Sequence, residues 1–287
     1  LSEFLLANLL APVGAGTLSQ SVSQQEYSKL FERDRFGVSS STEYLSRGDW
    51  LQQGSQFGTF GNTSYSFDVN YRSERGQRPN ADLEGLTWWS MFKQQLTPQD
   101  SVFVQTVYYD FKAGDVAQYY RQADASQTQR ITEKQEPNIF AGYHHEWNPG
   151  VHTLLLAGRL DDTFNRTDSA NPVRFLDKNG AGAVTRVSQR NMGLDFHSEL
   201  EGYSTELQQI WQQPKQTLIV GGRYQTGSTE TTSLLDGRPA QTELEADLQR
   251  ISVYGYQQWQ IFEPLRLTAG VSYDSLDYPQ NIDIAPI

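Results

Sequence analysis

The chain contains no cysteine. Disulfide staples, thiolate metal centres and a cysteine nucleophile are therefore excluded, although this does not identify the compartment. No apolar run approaches 18 residues, which removes a transmembrane helix. Basic charge is scarce: 23 Lys and Arg stand against 34 Asp and Glu, a net charge of −11. A nucleic-acid binder should carry a basic face, so that class is set aside. Apolar residues make up only 37% of 287, against about 45–50% in a usual globular domain on a count that includes glycine. Yet there are 15 Tyr, 14 Phe and 6 Trp, too many aromatics for a disordered polar tract. A mean hydropathy of −0.61 beside so many rings calls for an architecture that explains both.

Alternation supplies one. From Phe36 onward the recurring period is two, the period of a strand with one apolar face. Tyr65, Phe67, Val69 and Tyr71 alternate with Ser64, Ser66, Asp68, Asn70 and Arg72. Leu218, Val220, Gly222 and Tyr224 alternate with Thr217, Ile219, Gly221, Arg223 and Gln225, and Leu265, Leu267, Ala269, Val271 and Tyr273 with polar or small neighbours. Leu154, Leu156, Gly158 and Leu160 do so less cleanly. About ten such segments occur, each near the length that membrane-spanning strands need. The expected fold is all-β: an antiparallel up-and-down transmembrane β-barrel, in part, with about ten strands from a larger one.

The connectors alternate in length. Thr97–Asp100, Asn148–Gly150, Gln213–Lys215 and Phe262–Pro264 are short and carry Pro, which fixes φ and suits hairpin tips. Between them lie long polar stretches, Lys112–Glu136, Asp162–Asn191 and Ser228–Asp247. Short turns on one rim and long loops on the other are the outer-membrane pattern. Trp147, Trp211 and Trp259 sit beside short turns, where an interfacial aromatic belt belongs. Trp88, Tyr109, Tyr224 and Tyr273 lie about nine residues further along their strands, a climb of about 23 Å, close to the height of a barrel's apolar band. Asp68, Arg72, Arg159, Arg223, Arg266 and Asp274 are expected to face a hydrated lumen, where charge costs little. Low hydropathy then follows, because one residue in two faces water.

The chain opens on Leu1 and stops at Ile287, and it reads as an internal piece of a longer protein. Residues 1–33 are expected to form a connecting segment or linker and 34–287 the barrel portion. Phe4–Ala11 is apolar like a secretion signal, but Glu3 stands where such a signal is positive, so a short buried segment is the favoured reading. Ser19–Gln25 is Ser/Gln-rich and linker-like. Tyr27–Arg35 has room for a helical turn.

Candidate sites are few. His144, His145, Glu146 and His152 form a metal-like cluster, with His145 opposing His152 if Trp147–Gly150 is a four-residue loop. The competing reading, rings resting at the headgroup level, is preferred. Asp161-Asp162 is better read as a solvated strand end than as a Ca²⁺ site, and Asn179–Gly182 as a loop tip. Tyr119, Tyr120 and Phe111 either contact a ligand or pack on a neighbouring loop. No catalytic motif appears, and neither an enzyme nor a cofactor is expected.

The hairpin Val253-Tyr254-Gly255-Tyr256-Gln257-Gln258-Trp259-Gln260-Ile261 followed by Leu265-Arg266-Leu267-Thr268-Ala269-Gly270-Val271-Ser272-Tyr273-Asp274 resembles one found in TonB-dependent outer-membrane receptors. The resemblance covers about 25 residues closely. It implies a large barrel with a plug, residence among outer-membrane lipid, a TonB-type energy-coupling partner and import of a scarce small ligand. Two features depart from the family: no plug or TonB box precedes Phe36, and the final residue is not aromatic. The alternatives carried forward are a passive or export porin, such as a polysaccharide export barrel with a periplasmic repeat module, an adhesive barrel, and a soluble β-sandwich.

Overall fold

A computed structural model describes residues 2–13, 35–239 and 244–278. Ser19–Gln25 and most of Tyr27–Arg35, read above as linker and possible turn, lie outside the described residues. Eleven strands stand side by side in chain order in one antiparallel sheet. They are β1 (Arg35–Tyr44), β2 (Trp50–Phe60), β3 (Thr63–Glu74), β4 (Leu83–Gln95), β5 (Asp100–Ala113), β6 (Arg130–Asn148), β7 (Val151–Lys178), β8 (Val184–Gln213), β9 (Gln216–Leu235), β11 (Leu244–Phe262) and β12 (Leu265–Asp277). The two-residue β10 (Arg238–Pro239) folds back on β9. β1 and β12 do not pair, so the wall is open, a part of a barrel.

Every connection follows the expected alternation of rims. Residues 61–62, 96–99, 149–150, 214–215 and 263–264 turn at one rim. At the Pro149-Gly150 tip, Asn148 faces Val151 and Gly150 adopts φ 84°, the left-handed second position of a type II turn that only glycine fills without strain. At the other rim the expectation needs correcting. Of the stretch 162–191, only 179–183 is a loop, because β7 continues to Lys178 and β8 restarts at Val184. The ladder persists there although neither face is apolar, so hydropathy gives no signal while backbone pairing still does.

The helix α1 (Ser2–Leu10) lies on one face, which we call inner. Leu5, Leu6 and Leu9 are buried against Trp89, Met91, Phe103, Phe140, Leu154, Leu156 and Ile210, drawn from β4 to β8. Lys93 caps the far end. Its Nζ donates to the carbonyl oxygens of Asn8 (2.5 Å), Leu9 (3.0 Å) and Ala11, acceptors that the last helical turn leaves open. Away from α1 the inner face is polar: Ser55, Ser64, Ser66, Asp68, Gln105 and Asn138 are all buried there.

The outer face is the reverse. The register puts Tyr65, Phe67, Val69 and Tyr71 opposite Phe92, Ser90, Trp88 and Leu86, and Phe67 and Phe92 remain exposed. Val220, Val253, Val271 and Tyr273 share that face and are exposed too. Among the described residues no second sheet covers these side chains. Trp147, Trp211 and Trp259 point outward beside the short turns, and Trp88, Tyr224 and Tyr273 point outward higher up. Trp88 stacks on Tyr108 with centroids 5.8 Å apart.

Two stretches depart from the expected faces. Tyr109 turns inward opposite Thr87, and its neighbour Tyr108 takes the outer place. Leu154 and Leu156 turn inward beneath α1, so Arg159 faces outward with Leu155 and Ala157. Leu154-Leu155-Leu156 is apolar on both faces, and only the presence of α1 decides which face is in. By contrast Asp68, Arg223, Arg266 and Asp274 take the expected inner face.

Candidate functional site

The inner face holds a cavity of about 720 Å³ between α1 and the β8–β12 wall. Leu6, Leu10 and Ile219 line it on the apolar side, and Glu206, Arg223 and Tyr254 on the polar side. Adjacent register positions bring the polar groups together: Glu206 pairs with Arg223 across β8–β9, and Gly221 with Tyr254 across β9–β11. Arg223 Nε donates to Glu206 Oε2 at 2.8 Å, and Tyr254 Oη donates to Oε1 at 2.6 Å. Gln208 Nε2 donates to the Tyr254 oxygen at 2.9 Å. Both carboxylate oxygens of Glu206 are thus satisfied although its side chain is 2% exposed, as a buried charge requires. Periodicity alone marks Arg223 as inward, but the partner Glu206 sits in a run, Thr205-Glu206-Leu207-Gln208, whose pattern gives no comparable cue.

Above the cavity the inner face carries Tyr109 stacked on Phe111, with centroids 5.9 Å apart, and then Glu133 and Asp162. Burial and the nearby Asp162 raise the Glu133 pKa above the ordinary carboxylate value. On the outer face at the same height lies a groove of about 700 Å³, where Asp161, Glu199, Glu201, Glu230 and Glu245 outnumber Lys112 and Lys134 and the register turns them away from the lumen. Arg159, on the same outer face, lies 2.6 Å from Asp161 and 3.3 Å from Glu201.

Two loops at the long rim interlock. Arg78, from 75–82, donates to the carbonyl oxygens of Asp115 (2.6 Å) and Ala117 (2.8 Å) and lies over the Tyr119 ring at 5.3 Å. Asn80 Nδ2 donates to the carbonyls of Ser126 and Gln129, both at 3.0 Å. The fully buried Asp115 accepts the Ser126 N–H at 2.7 Å. Tyr119 therefore packs on its neighbour loop, Phe111 lies on the inner strand face, and Tyr120 is wholly exposed. Asp168 ties the same loop to β7, accepting Thr128 Oγ1 at 2.6 Å and the Ala170 N–H at 3.0 Å. Burial opposes its ionisation, but these donors outweigh that and hold its pKa below the ordinary value.

The histidines do not meet as expected. The turn is two residues long and the register shifts by one at Trp147, so His145 faces Thr153, and Glu146 faces His152. His144 and His152 share the inner face with Nε2 and Nδ1 3.0 Å apart. His145 points outward, 2.7 Å from Asp100 and edge-on to Trp147. Hydrogen bonds from Thr97, Tyr143 and His145 keep Asp100 well below the usual carboxylate range. Among the described residues, no three His, Asp or Glu side chains converge on a metal-sized point. The Asn179–Ala183 segment is the tip of the β7–β8 hairpin.

No protein-family model matches the chain, and neither does any curated protein. Solved structures do. The ferripyoverdine receptor of the outer membrane of Pseudomonas aeruginosa superposes with a TM-score of 0.66 at 11% identity, over 86% of this chain and 38% of that one. BauA, the ferric preacinetobactin receptor from Acinetobacter baumannii, gives 0.64 at 10% identity, over 89% and 43%. The copper transporter OprC gives 0.60 at 10% identity, over 85% and 37%. The fold is that of an outer-membrane receptor barrel, in part. The resemblance to TonB-dependent receptors read from the last hairpin thus holds for the architecture of the whole wall, and this chain spans about two fifths of the length of the receptors it matches.

Proposed function

We propose that this chain is part of a bacterial outer-membrane barrel of TonB-dependent-receptor type, which takes up a scarce small ligand. One observation carries the reading: the outer face is an uncovered apolar band between two aromatic girdles, while the inner face is polar and holds a buried ion pair. Hydrocarbon tails are the solvent that makes the first face stable, and water in a lumen the one that makes the second stable. The interlocked long-rim loops form the capture surface. Tyr109, Phe111 and the Glu206–Arg223–Tyr254 group lie along the path inward. α1 occupies that path, which favours a gated receptor over a permanently open pore. A TonB-type protein is the proposed source of work for clearing it. We assign the chain no catalysis.

Orientation is tested with single cysteines, since the native chain has none. In intact cells, a membrane-impermeant maleimide should label Gly180→Cys at the long rim, whereas Glu263→Cys at the short rim should react only after permeabilisation. Equal labelling of the two would sink the membrane placement. Transport is tested by uptake of a panel of ferric and cupric chelates into cells with and without the gene. Uptake that survives collapse of the proton gradient would favour a passive pore instead.

A further inference from the structure

The upper part of the β7–β8 hairpin is unlike the rest of the molecule. The β6 ladder on β7 ends at Arg130 opposite Thr167, and the β9 ladder on β8 ends at Leu194 opposite Leu235. Beyond them, β7 and β8 pair with each other from Asn171–Met192 up to Lys178–Val184. Among the described residues this ribbon has no third strand. Two-stranded ribbons are marginal in water, yet this one leaves Leu176, Val184 and Val187 more than half or half exposed.

Its charge is also inverted. Residues 171–192 carry Arg174, Lys178, Arg186 and Arg190 against Asp177 alone, in a chain whose net charge is −11. The register places Arg186 and Arg190 on one face with Phe175, and Arg174 and Lys178 on the other with Leu176 and Val187. Arg190 lies over the Phe175 ring at 5.5 Å. The cations are strung along both faces instead of converging on a pocket, an arrangement that suits an extended anion better than a compact one. Below them on the outer face lies the groove of Asp161, Glu199, Glu201, Glu230 and Glu245, which would repel a polyanion and confine it to the ribbon.

Height selects among polyanions. At about 3.3 Å per residue and a tilt near 40°, the ribbon begins about 50 Å above the short-turn rim, whereas the apolar band is about 25 Å tall. Lipid headgroup phosphates lie too low to reach. We propose that the 171–192 ribbon is a docking arm for an acidic polysaccharide chain at the cell surface. The height argument rests on the outer-membrane reading; the binding itself does not.

The test uses detergent-purified full-length protein on dextran-sulfate beads, with neutral dextran as the control. Wild type should be retained and released by salt. The combined variant Arg174→Gln, Lys178→Gln, Arg186→Gln, Arg190→Gln should bind about tenfold or more weakly, with a shallower salt dependence. Asp177→Asn should elute at higher salt, an arm that stands even if the combined variant fails to fold. Equal retention of wild type and the combined variant, no retention of wild type, or capture by phosphatidylglycerol vesicles in place of dextran sulfate would each overturn the proposal. Failure of the membrane placement would show instead in the Gly180→Cys labelling, with bead retention unchanged.

Discussion

Leu9→Ala should loosen α1 without weakening the wall around it. The helix has nine residues, below the ~12–15 that isolated helices need in water, so an undocked α1 is an unfolded one. Its order therefore measures its docking. Leu9 is 0% exposed and fits a notch at Gly142, where an added Cβ would come within 2.9 Å of Leu9 Cδ2. Truncating such a leucine costs about 2–5 kcal/mol, from lost transfer energy and the cavity left behind. At ~1.4 kcal/mol per factor of ten, amides of α1 should exchange hydrogen roughly thirtyfold to several thousandfold faster. Lys93→Met, which removes the donor to three terminal carbonyls, should add a smaller loss of about 1–3 kcal/mol when made alone. Hydrogen exchange read by mass spectrometry in detergent resolves α1 from the strands. Unchanged α1 exchange, or strand amides accelerating in step with it, would refute the idea of a separately docked helix.

Other outcomes follow from the two faces and the rim. Arg223→Met should destabilise the barrel by about 3–5 kcal/mol, because Glu206 is left buried and unpaired, and Glu206→Gln made in that background should recover part of it; thermal unfolding of both variants measures this. Val220→Arg, on the outer face about 12 Å above the short turn, should cost about 2–4 kcal/mol in bilayers, whereas Gln225→Arg on the inner face should leave stability nearly unchanged; refolding titrations into liposomes compare them. The Asp168 tie is depressed in pKa, so its contribution is complete above the unfolded value near ~3.9 and disappears as pH falls through the lower folded value. Proteolysis of loop 114–129 should therefore rise in that acid window, and Asp168→Asn should bring the same susceptibility at neutral pH. An Asn variant as resistant as wild type would remove the tie from the account.

The barrel wall was legible because lipid on one side and water on the other impose a strict period of two. Tyr65, Phe67, Val69 and Tyr71 could hardly be read otherwise. Reading failed where that contrast vanishes. Leu154-Leu155-Leu156 offers apolar side chains to both faces, and α1, remote in sequence, settles which face turns inward. The ladder above Asp162 mixes polar and apolar residues on both faces, so only backbone pairing records it. Tyr108-Tyr109 is a pair of equal rings, and one residue of register decides which joins the girdle. The site was harder still. Arg223 was visible as an inward charge, but Glu206 and Tyr254 join it only through strand register, and the His144–His152 contact depended on a shorter turn together with a register shift at Trp147.

The open wall carries an arithmetic of direction. β1 and β12 both climb from the short-turn rim toward the long one, so bringing them edge to edge would make a parallel seam in an otherwise antiparallel cylinder. Any ring that incorporates this wall and keeps neighbours opposed throughout must insert an odd number of staves between them, the first descending beside β12 and the last descending beside β1.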